Sequence, residues 1–459
     1  MTAPSATAPV AGTGPEGSPE GSPEAGTEAG SHATAGRRRA PLVLRNRAFG
    51  AVWLGQVLTQ AAVRMFQVGV SWWIVAHAVP DAPGLASGLF MALCTLPAVA
   101  LAPVVASAVA RYAHRSVLRG AAGLAGAAAC ALALWAQGGG LPVAAVYAAA
   151  LALATCQAFF DPCLTTSVPE LVDDADIETA TGFELSTQSL AGLGGALLGA
   201  LTVDRAGVAG LAVGCTAAYL GAALLVSSAR FRTAPSTAPV TDVAAAEAAP
   251  LRRPLLRILG ELPYVRRILI CFTAANLFTT AVFVVIPLYT RSVLHGGGGT
   301  VALLEAALGT GALVGAFTGA RVPGRPTVAG AWCLGLMALA LALPGLLTQR
   351  LAVAGCLAVA GWCAGAVSVR FVALFQRLVP TADKPGFFAV MQAVLGASLP
   401  VASLVFGSAG DFLSPQTLCL VQGIGLLPAA CALALLGSPA PPPAAADAGP
   451  VSVAPGGAS

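Results

Sequence analysis

Charge is what this chain has least of. Asp, Glu, Lys and Arg make up 10% of its 459 residues, against roughly 25% in a soluble domain. A surface that poor in charge cannot face water over its whole extent. Lysine is nearly missing, Lys384 being the only one. The four histidines (His32, His77, His114, His295) are scattered and form no ligand pair. The eleven cysteines sit mostly inside apolar runs, with neither zinc spacing nor a disulfide framework. No metal and no cofactor is therefore expected. The net charge of +4 is too thinly spread for a nucleic-acid surface. P-loop, HExxH and GxSxG patterns are missing too, which argues against a nucleotide-driven pump and against a membrane enzyme. No secretory signal peptide is visible.

What the chain does have is apolar length. It is 57% hydrophobic, with a mean hydropathy of +0.80. A membrane helix needs about 20 mostly apolar residues. Runs of that length fall near 50–77, 84–109, 117–137, 142–160, 181–203 and 207–228. After a polar stretch they resume near 267–290, 301–320, 327–347, 351–374, 387–409 and 415–437. The sequence thus predicts an all-α membrane protein of twelve transmembrane helices, arranged as two pseudo-symmetric six-helix bundles. The expected organisation is a disordered tail over 1–41, a first bundle over 42–228, a cytoplasmic linker over 229–265, a second bundle over 266–437 and a disordered tail over 438–459. Within the linker, residues 251–265 mix Arg with Leu and Ile, which suits a helix lying along a membrane surface.

Basic residues orient the spans. Arg45 and Arg47 precede the first run, Arg111, Arg115 and Arg119 follow the second, and Arg252, Arg253, Arg257, Arg266 and Arg267 crowd the linker. The opposite side carries Arg205, Arg291 and Arg350. Both termini and the linker are therefore expected in the cytoplasm. The two halves also echo each other. Arg111-Tyr-Ala-His-Arg115 lies 210 residues before Arg321-Val-Pro-Gly-Arg325, and Val168-Pro169 lies 211 before Val379-Pro380. Duplicated six-helix bundles are a known transporter plan.

Several motifs carry a family resemblance: Leu44-Arg-Asn-Arg47 and Trp53-Leu-Gly-Gln56 lead the first run, and Phe159-Phe-Asp-Pro162 is followed by Val168-Pro-Glu-Leu-Val172. Thr187-Gln188 and a run centred on Gly194 follow, and Gln376-Arg-Leu-Val-Pro380 precedes the eleventh run. By these the chain resembles the major facilitator superfamily, and within it the twelve-helix drug-efflux branch that includes macrolide-efflux and enterobactin-exporter-like proteins. The resemblance implies a monomeric secondary transporter in the cytoplasmic membrane. It would export a small organic molecule (drug, antibiotic or other natural product) by alternating access, with a proton as the candidate coupling ion. An importer or a transport-inactive sensor of the same fold is the alternative. The resemblance also marks Arg111, Arg115, Glu170, Arg321 and Arg325 as cytoplasmic gating loops. The chain departs from the family pattern where Ala110 and Val63 replace an acid and His114 replaces an arginine.

The first run holds the clearest polar constellation. Gln56, Gln60, Arg64 and Gln67 fall within an arc of ~80° at 100° per residue. Polar groups on one stripe of a membrane helix must face a bundle interior or a wet cavity. With Asn276 of the seventh run they are the expected substrate-cavity residues. Arg64 lies ~21 Å into the span, where a charge needs a partner. That partner is either an acid on another helix or an anionic substrate. The acids available for coupling are Asp161, Glu184 and Glu305, with Asp161 also placed to tie the inner loops to Arg111 or Arg115. Arg370, near a span end, is expected to snorkel.

Overall fold

In the first helix every third or fourth residue is small or apolar, and its start is marked by an asparagine. The Asn46 side chain accepts from the amides of Ala48 and Phe49, capping the helix, and its Nδ2 donates to the Leu171 carbonyl at 2.7 Å. The motif Leu44-Arg-Asn-Arg47 is thereby explained, since Arg45 also meets Asp176. The computed structural model describes residues 42–172, 176–229, 260, 263–321, 324–380 and 384–436. Both expected tails and most of the linker, including the surface helix expected at 251–265, lie outside the described residues. So do the side chains of Glu184 and Gln188.

Every regular element among the described residues is a helix. After a short turn α1 (Leu42–Arg45) come α2 (Arg47–Trp73), α3 (Pro83–Ala100), α4 (Ala102–Arg111), α5 (His114–Gln137), α6 (Val143–Leu171) and α7 (Ile177–Ser228). The second half holds α8 (Pro263–Thr280), α9 (Val282–Ser292), α10 (Gly298–Thr318), α11 (Pro326–Ala342), α12 (Arg350–Leu378), α13 (Lys384–Ala409) and α14 (Pro415–Leu435). Prolines mark the starts of α3, α11 and α14, where a missing N–H costs nothing. Inside helices they mark bends: α3 gives way to α4 four residues after Pro97. A π turn, Ile74–Ala78, ends α2.

Ten helices among the described residues are long and apolar enough to cross a membrane. This is fewer than the twelve expected, for two reasons. The first helix, which carries Arg47 and Arg64, is not among the ten, and Leu190–Ser228 counts once. Yet α7 is not one rod. Gly207 sits at φ 62° and ψ −169°, a conformation no helix contains. On one side of it Gly195 and Gly199 lie against Ala61 and Met65 of α2; on the other, Leu211 lies at Gly69 and Ala222 at Gly55. The chain therefore reverses at Gly207, and its two limbs embrace α2.

The outer surface is apolar. Leu224 is 72% exposed, Phe317 74% and Trp332 77%, a pattern that lipid satisfies and water does not. Inside, small residues let backbones touch. Gly311 and Gly315 of α10 and Gly319 just after it face Ala358, Trp362 and Ala366 of α12, while Gly361 and Gly365 of α12 face Leu308 and Ala312. Aromatic rings fill the start of the second half, with Phe375 5.2 Å from Phe387 and Phe272 5.6 Å from Phe371.

The two halves meet chiefly at one end. Call the end where α2 and α8 begin the linker end and its opposite the far end. Helix α3 crosses α13, and α10 crosses the first limb of α7. Several polar contacts between the halves lie toward the far end, among them the Arg291 guanidinium to the Val75 carbonyl in the π turn, the Gly84 and Leu85 amides to Asp411, and the Gly298 amide to Asp204.

A branched side chain at Gly315 has no room against the Trp362 backbone. Gly315→Val is expected to cost about 1–3 kcal/mol by overpacking and to lower the melting temperature of the detergent-purified protein. Gly355→Ala on α12, where nothing lies within 4 Å, is expected to leave it unchanged.

Candidate functional site

The polar stripe of α2 faces inward, as its periodicity requires, but its members divide between two places. Gln60 and Gln67 line a cavity of about 310 Å³ inside the first half. Its wall also includes Phe66, Cys94, Gln157, Asp161 and Tyr219. Asp161 accepts from Gln60 Nε2 at 2.8 Å and from Gln157 Nε2, one turn earlier on the same helix, at 2.5 Å. Tyr219 is 1% exposed, and its hydroxyl is buried without a described partner. Among the described residues, the lining includes one carboxylate and no Lys, Arg or His.

Arg64 lies in a second, narrow pocket between the halves, with Met91, Phe283, Pro287 and Glu305. Its Nη1 donates to Gln67 Oε1 at 3.0 Å, and its Nη2 reaches Glu305 Oε2 of α10 at 3.4 Å. The guanidinium carbon also stands 5.2 Å from the centre of the Phe283 ring. Of the two partners open to Arg64, the structure supplies the acid on another helix. Glu305 is 5% exposed in its side chain and Arg64 26%, so this is a largely desolvated pair that joins α2 to the opposite half.

The remaining expected residues fall elsewhere. Gln56 is buried, and the cavity lining does not include it. Asn276 donates to the Leu395 carbonyl at 3.2 Å and to the Ser398 hydroxyl, so it fastens α8 to α13 within the second half rather than facing α2. Asp161 is held by glutamines rather than tied to Arg111 or Arg115. Arg111 is exposed, and Arg115 donates to the Ser227 carbonyl. Glu170 meets His114, with Oε1 2.7 Å from Nδ1. The histidine thus takes a carboxylate partner at the place where the family pattern has arginine. Arg321 and Arg325 are exposed. Arg370 does more than snorkel: its guanidinium donates to the Gly319 and Gly324 carbonyls, holding the turn after α10. Glu184 lies outside the described side chains.

Four participants escaped the sequence reading: Gln157, Tyr219, Asp204 and Asp411. The first stands four residues before Asp161 on a helix, a legible spacing. Tyr219 is a lone hydroxyl in an apolar run. The two aspartates each close the fifth helix of a half, 207 residues apart, slightly off the 210–211 offset of the loop motifs.

Removing one member of a desolvated pair leaves the other uncompensated. Arg64→Gln is expected to destabilise the protein by up to about 3–5 kcal/mol, toward the low end because Arg64 keeps some solvent access. Adding Glu305→Gln is expected to restore most of that loss, giving a coupling of roughly 0.5–3 kcal/mol across the four proteins. Thermal unfolding in detergent reads it. Strictly additive costs would mean that the two charges do not sense each other.

Over residues 52–330, more than half of its length, the chain matches the family model described as Major Facilitator Superfamily. No curated protein sequence matches it. Among solved structures, it is similar to a bacterial homologue of iron transporter ferroportin in an inward-facing state, with a TM-score of 0.64 at 14% identity, covering 84% of this chain and 98% of that one. An auto-inhibited POT family peptide transporter gives a TM-score of 0.66 at 10% identity, covering 85% and 96%. A D-xylose-proton symporter gives 0.65 at 13%, covering 84% and 96%. At such identities the likeness is one of fold. Two packed helical halves, an interior cavity and the family match lead to one conclusion: the chain belongs to the major facilitator superfamily of membrane transporters.

Proposed function

We propose that the chain is a secondary active exporter of small organic molecules, working by alternating access in the cytoplasmic membrane. Counting α2 and the two limbs of α7 separately gives twelve crossings in a single chain that acts as a monomer. The arginine pattern puts the linker end in the cytoplasm, so the described arrangement, with its contacts between the halves toward the far end, is read as the inward-facing one. The observation that carries the reading is that cavity of about 310 Å³, with the Asp161 carboxylate beside Phe66 and Tyr219. Export rather than import is supported by the motifs that resemble the efflux branch, among them Phe159-Phe-Asp-Pro162 in α6.

The lining also bears on substrate class. Arg64, the charge that would have recruited an anion, faces Glu305 instead. A cavity with a carboxylate, three glutamines and two aromatic rings suits neutral or amine-bearing amphipathic molecules, the carboxylate accepting from the amine and the rings covering apolar carbon. Coupling falls to the acids of the membrane region, Asp161 and Glu305 among them. Each can take up a proton when access changes, and a proton on Glu305 weakens the tie to Arg64.

Everted vesicles from an overexpressing host test this. With an inside-acid pH gradient, hydrophobic amines are expected to accumulate beyond the passive trapping seen in vesicles from a host lacking the protein, and organic anions are not. Asp161→Asn keeps the shape but loses a charge-assisted contact worth about 1.5–3 kcal/mol, so amine flux at low concentration is expected to fall roughly tenfold or more. Accumulation in right-side-out vesicles instead would establish import. No gradient-dependent flux across amines, neutral compounds and anions would count against transport.

A further inference from the structure

At the far end each half holds the other by the same device. The first amides of a helix have no partner within it, and α3 and α10 both begin without a capping side chain of their own, preceded by Ala82 and Gly297. The other half supplies the cap in each case. Gly84 and Leu85 at the start of α3 donate to Asp411 Oδ1 and Oδ2 at 2.7 and 2.9 Å. Gly298 at the start of α10 donates to Asp204 Oδ2 at 2.5 Å. The backbones touch beside each contact: a Cβ on Gly84 would strike the Gly407 carbonyl, and one on Gly298 the Ala200 carbonyl. In both crossings the carboxylate follows the touching residue by one helical turn, Gly407 to Asp411 and Ala200 to Asp204. One site has an extra hold, Trp72 Nε1 donating to Asp204 Oδ1 at 2.7 Å from within its own half.

We propose that Asp204 and Asp411 form a reciprocal latch that sets the balance between the described arrangement and one opened at the far end. A carboxylate at a helix N-terminus is favoured both by the free N–H groups and by the helix dipole. A cap taken from the same half would be indifferent to how the halves stand. These caps come from the opposite half, so they exist only while the far end is closed, and that differential contact is what biases a two-state equilibrium. The Arg64–Glu305 pair lies deeper along the same seam and adds to the same state. The latch rests on the alternating-access reading proposed above, but its test uses no substrate, so it can fail or succeed whatever the exported molecule is.

Spin labels at Asp81 and Phe412, both exposed and flanking the α3–α13 crossing, report opening of the far end. The full chain, with the exposed Cys431 changed to Ala, is placed in lipid nanodiscs, and the distance distribution is measured by pulsed dipolar spectroscopy. The ratio of long to short distances is expected to rise roughly threefold for Asp204→Ala or Asp411→Ala and roughly tenfold for both together, the range of lost helix caps. Asp→Asn at either site keeps an acceptor for the amides and is expected to stay nearer the parent. An unchanged distribution in the double variant overturns the latch. So does an equal broadening between labels at Arg119 and Arg377 of the linker end, which would mean a loosened fold rather than an opened gate. Should the double variant not be recovered as a monodisperse protein, the two single variants decide by the same criteria.

Discussion

A guanidinium two-thirds of the way along a membrane-length helix must be partnered, and in this chain the partner belongs to the other half of the molecule. That requirement organises the centre of the fold. For Arg64 to reach Glu305, α7 must run close to α2 without a side chain in the way. Gly195 and Gly192 provide the passage; a Cβ on Gly195 would stand 3.0 Å from the Cβ of Arg64. Phe283 of α9 closes the site from the second half. One ionic contact thus draws on four helices from both bundles. Its strength depends on burial, because the same pair in water would contribute little.

Because Arg64 is engaged at the seam, the cavity beside it takes its sign from Asp161. The two charged groups stand on one side of the molecule's interior yet serve different surroundings. One is a tie between halves, the other a wall of a wet space. Gln67 touches both, lining the cavity and accepting from Arg64. A change at either site therefore has a short route to the other, through one amide on one helix face. This is the contiguity that a transporter needs if occupancy of the cavity is to bias how the halves stand.

The helices were legible because apolar length is a property of each segment alone. The inward direction of the Gln56–Gln67 stripe was legible for the same reason: periodicity on one helix fixes a face. What lies opposite that face was not. The acids open to Arg64 were visible in the sequence, but choosing Glu305 needs the packing of α10 on α7, which no local pattern encodes. Asn276 shows the limit from the other side. A polar residue in an apolar run must be satisfied, yet its being satisfied by α13 rather than by a cavity depends on helix neighbours. The reversal within α7 was legible as well: Asp204 and Arg205 interrupt the apolar run just before Gly207, where the helix breaks.

The repeat was visible in the sequence at one end of the bundles, while its closest structural echo stands at the other. Arg111, Arg321 and Arg325 match by type and spacing, and all three are exposed. Asp204 and Asp411 carry no motif, yet they make equivalent contacts across the two crossings. The difference follows from what each recognises. A charged loop acting on other side chains needs several residue types at fixed spacing, and so leaves a pattern. A carboxylate acting on helix amides needs one acidic residue and a backbone, and the backbone has no signature. Duplicated halves can therefore conserve a working contact with a single residue per copy. Such contacts become visible only once the helix starts that face those residues are known.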